Sequence, residues 1–177
     1  MMLETIHAEH GYINRLLNIL QQKLVAIEQG KTVNYSLLKD IVEYLHQHAE
    51  QCHHPKEDVI YHYYLEHYGD KETIAQLDLE HEELAKLTQA FADTVDMILM
   101  DAVIPLDVFA EKLNQFVLRQ REHLQFEERQ VLPLIRRHFT TQDWVNVAEL
   151  YQECECDPLF GEQVAPRYQR LHEHMSA

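Results

Sequence analysis

Four long stretches of this 177-residue chain carry apolar side chains at alternating steps of three and four, and histidine interrupts every stripe. Such steps return a helix to one face, so each stretch predicts a helix with that face buried against partners. The first stripe runs through Leu3, Ile6, His10, Ile13, Leu17, Leu20, Leu24 and Ile27. The third is Ile74, Leu77, His81, Leu84, Thr88, Phe91, Val95 and Ile98, and the fourth is Phe109, Leu113, Phe116, Gln120, His123, Glu127, Val131 and Leu134. The second, through Leu38, Val42, Glu50, His53, Glu57, Ile60 and Tyr64, contains Pro55, which predicts a kink or break.

With only four glycines and five prolines, the breaks are read at Gly30–Asn34, at Gly69-Asp70 and from Asp101 to Pro105. Helices are expected over 3–29, 35–67, 71–100 and 106–138, with Ser36 and Asp70 as N-caps and Pro105 in a first turn. A fifth helix is expected from Thr141 to about Glu153, then a last amphipathic stretch over 163–174. The fold class is therefore all-α: an up-down-up-down four-helix bundle over 1–140, with a C-terminal helical extension, 141–177, packed on the same domain.

Lys+Arg 15 against Asp+Glu 30 leaves a net charge of −15, which argues against nucleic acid and anionic membranes as partners. The opening MMLETIHAEHGY has no basic segment followed by an apolar run, and no apolar stretch reaches the ~18 residues a membrane span needs. The expected compartment is the cytoplasm. Three cysteines, an odd number, predict no disulfide framework. Cys52 reads most simply as a small buried residue, support of His53 or a redox role being the alternative, and Cys154-x-Cys156 is too little for a zinc site.

The stripes carry the chemistry. His53 and Glu57 lie four apart, as do His123 and Glu127, so each pair faces one neighbour, while His10 and His81 supply the other two helices. From His10 to Gln29 the helix rises ~29 Å, and from Tyr35 back to His53 ~27 Å. From Glu57 to the end of its helix and from Lys71 to His81 the rises are ~15 Å each, and from His81 to the third helix end and Leu106 to His123 they are ~29 and ~26 Å. All four sites then share one level of the bundle. A lone histidine on an apolar stripe is more often a hydrogen-bonded core residue, but buried carboxylates are costly unless paired or coordinated. Glu57 and Glu127 therefore point to a cation.

His10, His53-His-Pro-Lys-Glu57-Asp, Glu80-His81-Glu82 and Glu122-His123-Leu-Gln-Phe-Glu127-Glu128 with a following Val-Leu-Pro resemble the hemerythrin-like, or HHE cation-binding, domain over residues 3–138. The resemblance implies two non-haem iron ions with a bridging oxo or hydroxo group, manganese or zinc being alternatives for the same donors. It makes Glu57 and Glu127 bridges and gives one ring nitrogen each from His10, His53, His81 and His123. The oxygen-carrying members add a histidine four residues from the first on the third helix, where this chain has Leu77 and Ala85. Those members also place Asp five residues after the last histidine, where Glu127 here follows His123 by four. His54, His7 and His46 are candidates for the missing ligand, His54 foremost, although adjacent α-helical residues point ~100° apart. Glu50 and His46 are expected to orient imidazoles from outside.

The leading expectation is a metal-binding module that binds or senses dioxygen, nitric oxide or iron. A di-iron redox enzyme is the alternative, but of the Glu-x-x-His repeats its ferritin-like type uses, only Glu50-x-x-His53 is present, with Gln120 facing His123. Donation of iron to damaged iron centres is a third reading, and a structural bundle a fourth. A homodimer is compatible with the long amphipathic helices.

Overall fold

The computed structural model describes residues 2–152, 154 and 156–177. The expected end of the fifth helix at Glu153 lies outside these. Helix α1 spans Met2–Glu28, α2 Tyr35–Tyr44, α3 His54–Tyr68, α4 Lys71–Leu99, α5 Leu106–Phe126, α6 Leu132–His138, α7 Thr141–Leu150 and α8 Gln169–Ser176. A π-helical segment, Leu45–His53, joins α2 to α3, and a second, Glu127–Val131, joins α5 to α6. The two therefore interrupt the second and fourth helices, which the periodicity alone reads as unbroken α-helix. The short connections place consecutive long helices antiparallel, giving an all-α four-helix bundle.

The joints follow local chemistry. Gly30 and Gly69 take positive φ, as does Asp70, which caps α4 by accepting from the Thr73 amide. Two caps sit ahead of their expected residues. Asn34, not Ser36, caps α2 through the amides of Ser36 and Leu37. Thr140, not Thr141, caps α7 in a reciprocal box with Asp143. Pro105 is the residue before α5 rather than in its first turn.

Two apolar clusters fill the bundle. One gathers Leu16, Leu20, Leu38, Ile41, Phe109 and Phe116 with Leu159, Tyr168 and Leu171 from the C-terminal extension. The other gathers Ile6, Ile60, Tyr61, Leu77 and Ile135 with Val147 of α7. Between them lies a layer of buried polar residues, His10, His53, His54, Glu57, His81, His123 and Glu127. No helix among the described residues is long and apolar enough to cross a membrane.

The cysteines depart from expectation. Cys52 and Cys154 form a disulfide, and Cys156 is free and exposed. Their pairing was invisible in the sequence because 102 positions separate them, and only docking of the extension brings them together.

Candidate metal centre

The packing of the four helices converges on two carboxylates that are 0% exposed, Glu57 and Glu127. Glu57 turns Oε1 toward His10 Nε2 at 2.9 Å and His53 Nε2 at 3.2 Å, and Oε2 toward His81 Nε2 at 3.5 Å. Glu127 turns Oε2 toward His10 Nε2 at 3.3 Å, and Oε1 toward His81 and His123 Nε2 at 3.5 and 3.4 Å. Each carboxylate thus spans two imidazole groups, with one oxygen for each. His10, His53 and Glu57 form one set of donor atoms within 4.8 Å of one another, and His54, His81, His123 and Glu57 form a second.

The outward nitrogens are engaged as consistently as the inward ones. His53 Nδ1 meets Glu9 at 2.7 Å, His81 Nδ1 meets Asp58 at 2.7 Å, His123 Nδ1 meets Glu80 at 2.9 Å and His10 Nδ1 meets Glu128 at 2.7 Å. Each of these acids adjoins a site residue of its own helix and bonds the histidine of a neighbouring helix, so the four contacts close a ring round the bundle. His54 Nδ1 meets Glu50 at 3.0 Å within its own turn. Fixing Nδ1 leaves Nε2 as the free donor and sets the ring's orientation, as outer carboxylates do for metal-bound imidazoles. Only Glu50 of the five was expected in this role. The other four carried a legible signal, an acid directly beside a site residue on every helix, but their partners depend on helix rotation.

The π segments explain how His54 joins His53. The His54 amide bonds Ala49 O, five residues back, and the Leu132 amide bonds Glu127 O in the same way. Both donors immediately precede a proline, Pro55 and Pro133. Proline has no amide hydrogen and its ring clashes with the carbonyl four residues back, and the helix relieves both by running in wider turns ahead of it, over nine residues before His54 and five before Leu132. A wider turn rotates each residue by less than the α-helical ~100°, which brings adjacent His53 and His54 toward one layer. His7 stays exposed against Glu128, and His46 joins neither donor set, so the structure places neither in the cluster.

The histidines and carboxylates of the cluster hold one another in their charged forms. Burial disfavours charge on His10, yet hydrogen bonds to Glu127 and Glu57 outweigh it and push its pKa up to about 11. Burial is likewise overcome at His81 by Asp58, Glu127 and Glu57, raising it to about 12, and at His53 by Glu57 and Glu9, raising it to about 9. Burial dominates at His54 and lowers its pKa, so this ring is neutral. Glu127, despite burial and the charge of Glu57, is drawn down to about 2 by His123, His10 and His81, and Glu57 is held well below the usual carboxylate range. Tyr61 donates to Glu127 Oε1 at 2.8 Å, and burial with that carboxylate raises its own pKa.

Three buried atoms at the centre, His53 Nε2, Glu57 Oε2 and Glu127 Oε2, make no well-formed hydrogen bond and have only ion-pair neighbours at 3.2 to 3.5 Å. Orphaned acceptors and donors this deep cost ~1–3 kcal/mol each. Cations at the two donor positions would satisfy them, His53 Nε2 and Glu127 Oε2 at one and Glu57 Oε2 at the other. The model of the Hemerythrin HHE cation binding domain matches residues 1–135. The chain belongs to this family. Comparison with curated proteins and with solved structures gave no match. Membership implies cation binding, and the His/Glu groups of this HHE domain could hold metal. A surface cavity of about 610 Å³, lined by Glu50, His54, Asp58, His81 and Glu82 among others, opens beside the second donor set.

Proposed function

We propose that this chain is a non-haem di-iron protein that binds or senses a small diatomic molecule, dioxygen or nitric oxide. One observation carries the reading: two buried carboxylates each offer one oxygen to each of two unequal imidazole groups. Two imidazoles, from His10 and His53, serve one position, and three, from His54, His81 and His123, serve the other. Imidazole mixed with carboxylate and no thiolate suits iron among the first-row metals. Bound iron supplies an electron-rich metal able to take up a diatomic ligand.

The chain's own groups prepare the site for that task. The position at His10 and His53 would hold its metal with one imidazole fewer than the other. Apolar clusters above and below shield the site along the bundle axis, and the cavity beside His54 and His81 gives a small molecule a way in. The ring of outer carboxylates fixes each imidazole, and Tyr61 holds Glu127 by its hydroxyl. Glu50 hydrogen-bonds His54 Nδ1, and the matching Gln120 donates to Thr88, so the arrangement lacks the inward carboxylates of ferritin-like enzymes. Residues 1–140 serve as the bundle and 141–177 as an extension packed upon it.

Elemental analysis of the purified chain tests the reading, with about two irons per chain expected from the doubly bridged layout. Glu57→Ala and Glu127→Ala should each lower that content sharply, and nitric oxide should change the visible spectrum of the loaded wild type. Unchanged metal content in both variants would refute the assignment.

A further inference from the structure

The disulfide lies where the C-terminal extension meets the helix turn that carries His53 and His54. Cys52 belongs to the first π segment, directly before His53. Cys154 Sγ also contacts Gln51 O at 3.6 Å. The bond is open to small molecules from two sides. A groove of about 320 Å³ is lined by Cys52, Cys154, Cys156, His48, Gln51 and Arg167, and another of about 460 Å³ by Cys52, Cys154, Glu9 and Lys56 among others. Exposed disulfides are the labile ones, and here a free third thiol lines the same groove.

We propose that this groove is a thiol–disulfide exchange site in which Cys156 displaces Cys52 from Cys154 and so frees the π turn of its covalent tether. The Cys156 thiolate attacks Cys154 Sγ, and a Cys154–Cys156 bond forms as the Cys52–Cys154 bond breaks. The electron pair leaves on the Cys52 sulfur, which takes the proton that Cys156 gave up. No oxidant or reductant is consumed.

The neighbouring contacts make the exchange local. Asp157 accepts from Tyr44 at 2.8 Å, Arg167 donates to Gln47 at 2.6 Å and Arg170 to Asp40 at 2.6 Å. These hold the chain on the far side of Cys156 against α2 and the π segment whichever sulfur is joined, which keeps the local thiol concentration high. What the exchange frees is the tether on the π turn. Glu9, which lines the second groove, bonds both His53 Nδ1 and Lys56 beside it. The release therefore reaches the histidine pair; its consequence for metal rests on the function proposed above.

The test uses full-length metal-free protein. Aerobically purified chain is held at mildly alkaline pH, free thiols are blocked with N-ethylmaleimide, and the disulfides are mapped by peptide mass spectrometry. Both isomers are expected in the wild type, with Cys156→Ser holding only Cys52–Cys154 and Cys52→Ser only Cys154–Cys156. Amide hydrogen exchange over residues 45–57 should be severalfold faster in Cys52→Ser than in Cys156→Ser. Wild type in which Cys156 alone is ever blocked, or equal exchange in the two variants, would overturn the proposal. With iron loaded, a ferrous chelator should also strip Cys52→Ser faster than Cys156→Ser. A chain that takes up no iron would sink the di-iron reading while the two metal-free readouts still decide this one.

Discussion

Loading the centre with ferrous iron should expel protons, and the count follows from the buried layer. His10, His81 and His53 hold protons with pKa values pushed up to about 11, about 12 and about 9, while His54 is neutral. A metal ligand must be deprotonated, so filling the site at near-neutral pH displaces these three protons, the carboxylates having none to give. Each proton displaced makes the binding free energy more favourable by ~1.4 kcal/mol per pH unit, so three contribute ~4 kcal/mol per unit, about a thousandfold in affinity. That slope holds until His53 loses its proton near pH 9 and then falls by a third.

The metal-free fold has the opposite dependence. Three histidines whose folded pKa lies above the unfolded ~6.5 contribute stability that is complete below that value. It drains as pH rises through about 9, 11 and 12. Glu9, Glu57, Glu80 and Glu127, all lowered, contribute stability above their ordinary range that is lost as pH falls below it. The lowered His54 and His48 oppose the three raised histidines but are outnumbered. Metal-free protein should therefore be most stable between about pH 4.5 and 6.5, and loaded protein should gain over it as pH rises. Calorimetric titration of iron in buffers of different ionisation enthalpy counts the protons, and denaturant melts across pH follow the fold. Release of fewer than one proton per chain, or an affinity indifferent to pH, would refute this account of the buried charges.

Three further outcomes follow from single residues. His54→Ala should lower metal affinity while His7→Ala, at an exposed position beside Glu128, should not; competition with a chelator reads the difference. Glu9→Gln should weaken metal binding by about 10–100-fold with metal stoichiometry retained, because it loosens His53 without removing a ligand. Tyr61→Phe removes the hydroxyl that Glu127 accepts from, and should cost the metal-free protein ~1–3 kcal/mol in urea unfolding.

Local periodicity determined much of this protein. The alternation of three and four placed the helices, and counting helix rise from the joints put His10, His53, Glu57, His81, His123 and Glu127 on one level, where the structure brings them together. These features are legible because a helix repeats the same geometry whatever surrounds it. What depends on how one helix is turned against another was not. Glu9, Asp58, Glu80 and Glu128 each sit beside a site residue in sequence, yet each serves a histidine on a different helix. That choice is made by packing. Pro55 announced a disturbance without its form, and Pro133 passed unmarked within the fourth helix. Only the packed helix shows that both open a π turn, and that the first brings His54 beside His53. The Cys52–Cys154 bond is the extreme case, since no local rule links residues 102 positions apart until α7 and α8 dock and fold the extension back against the second helix.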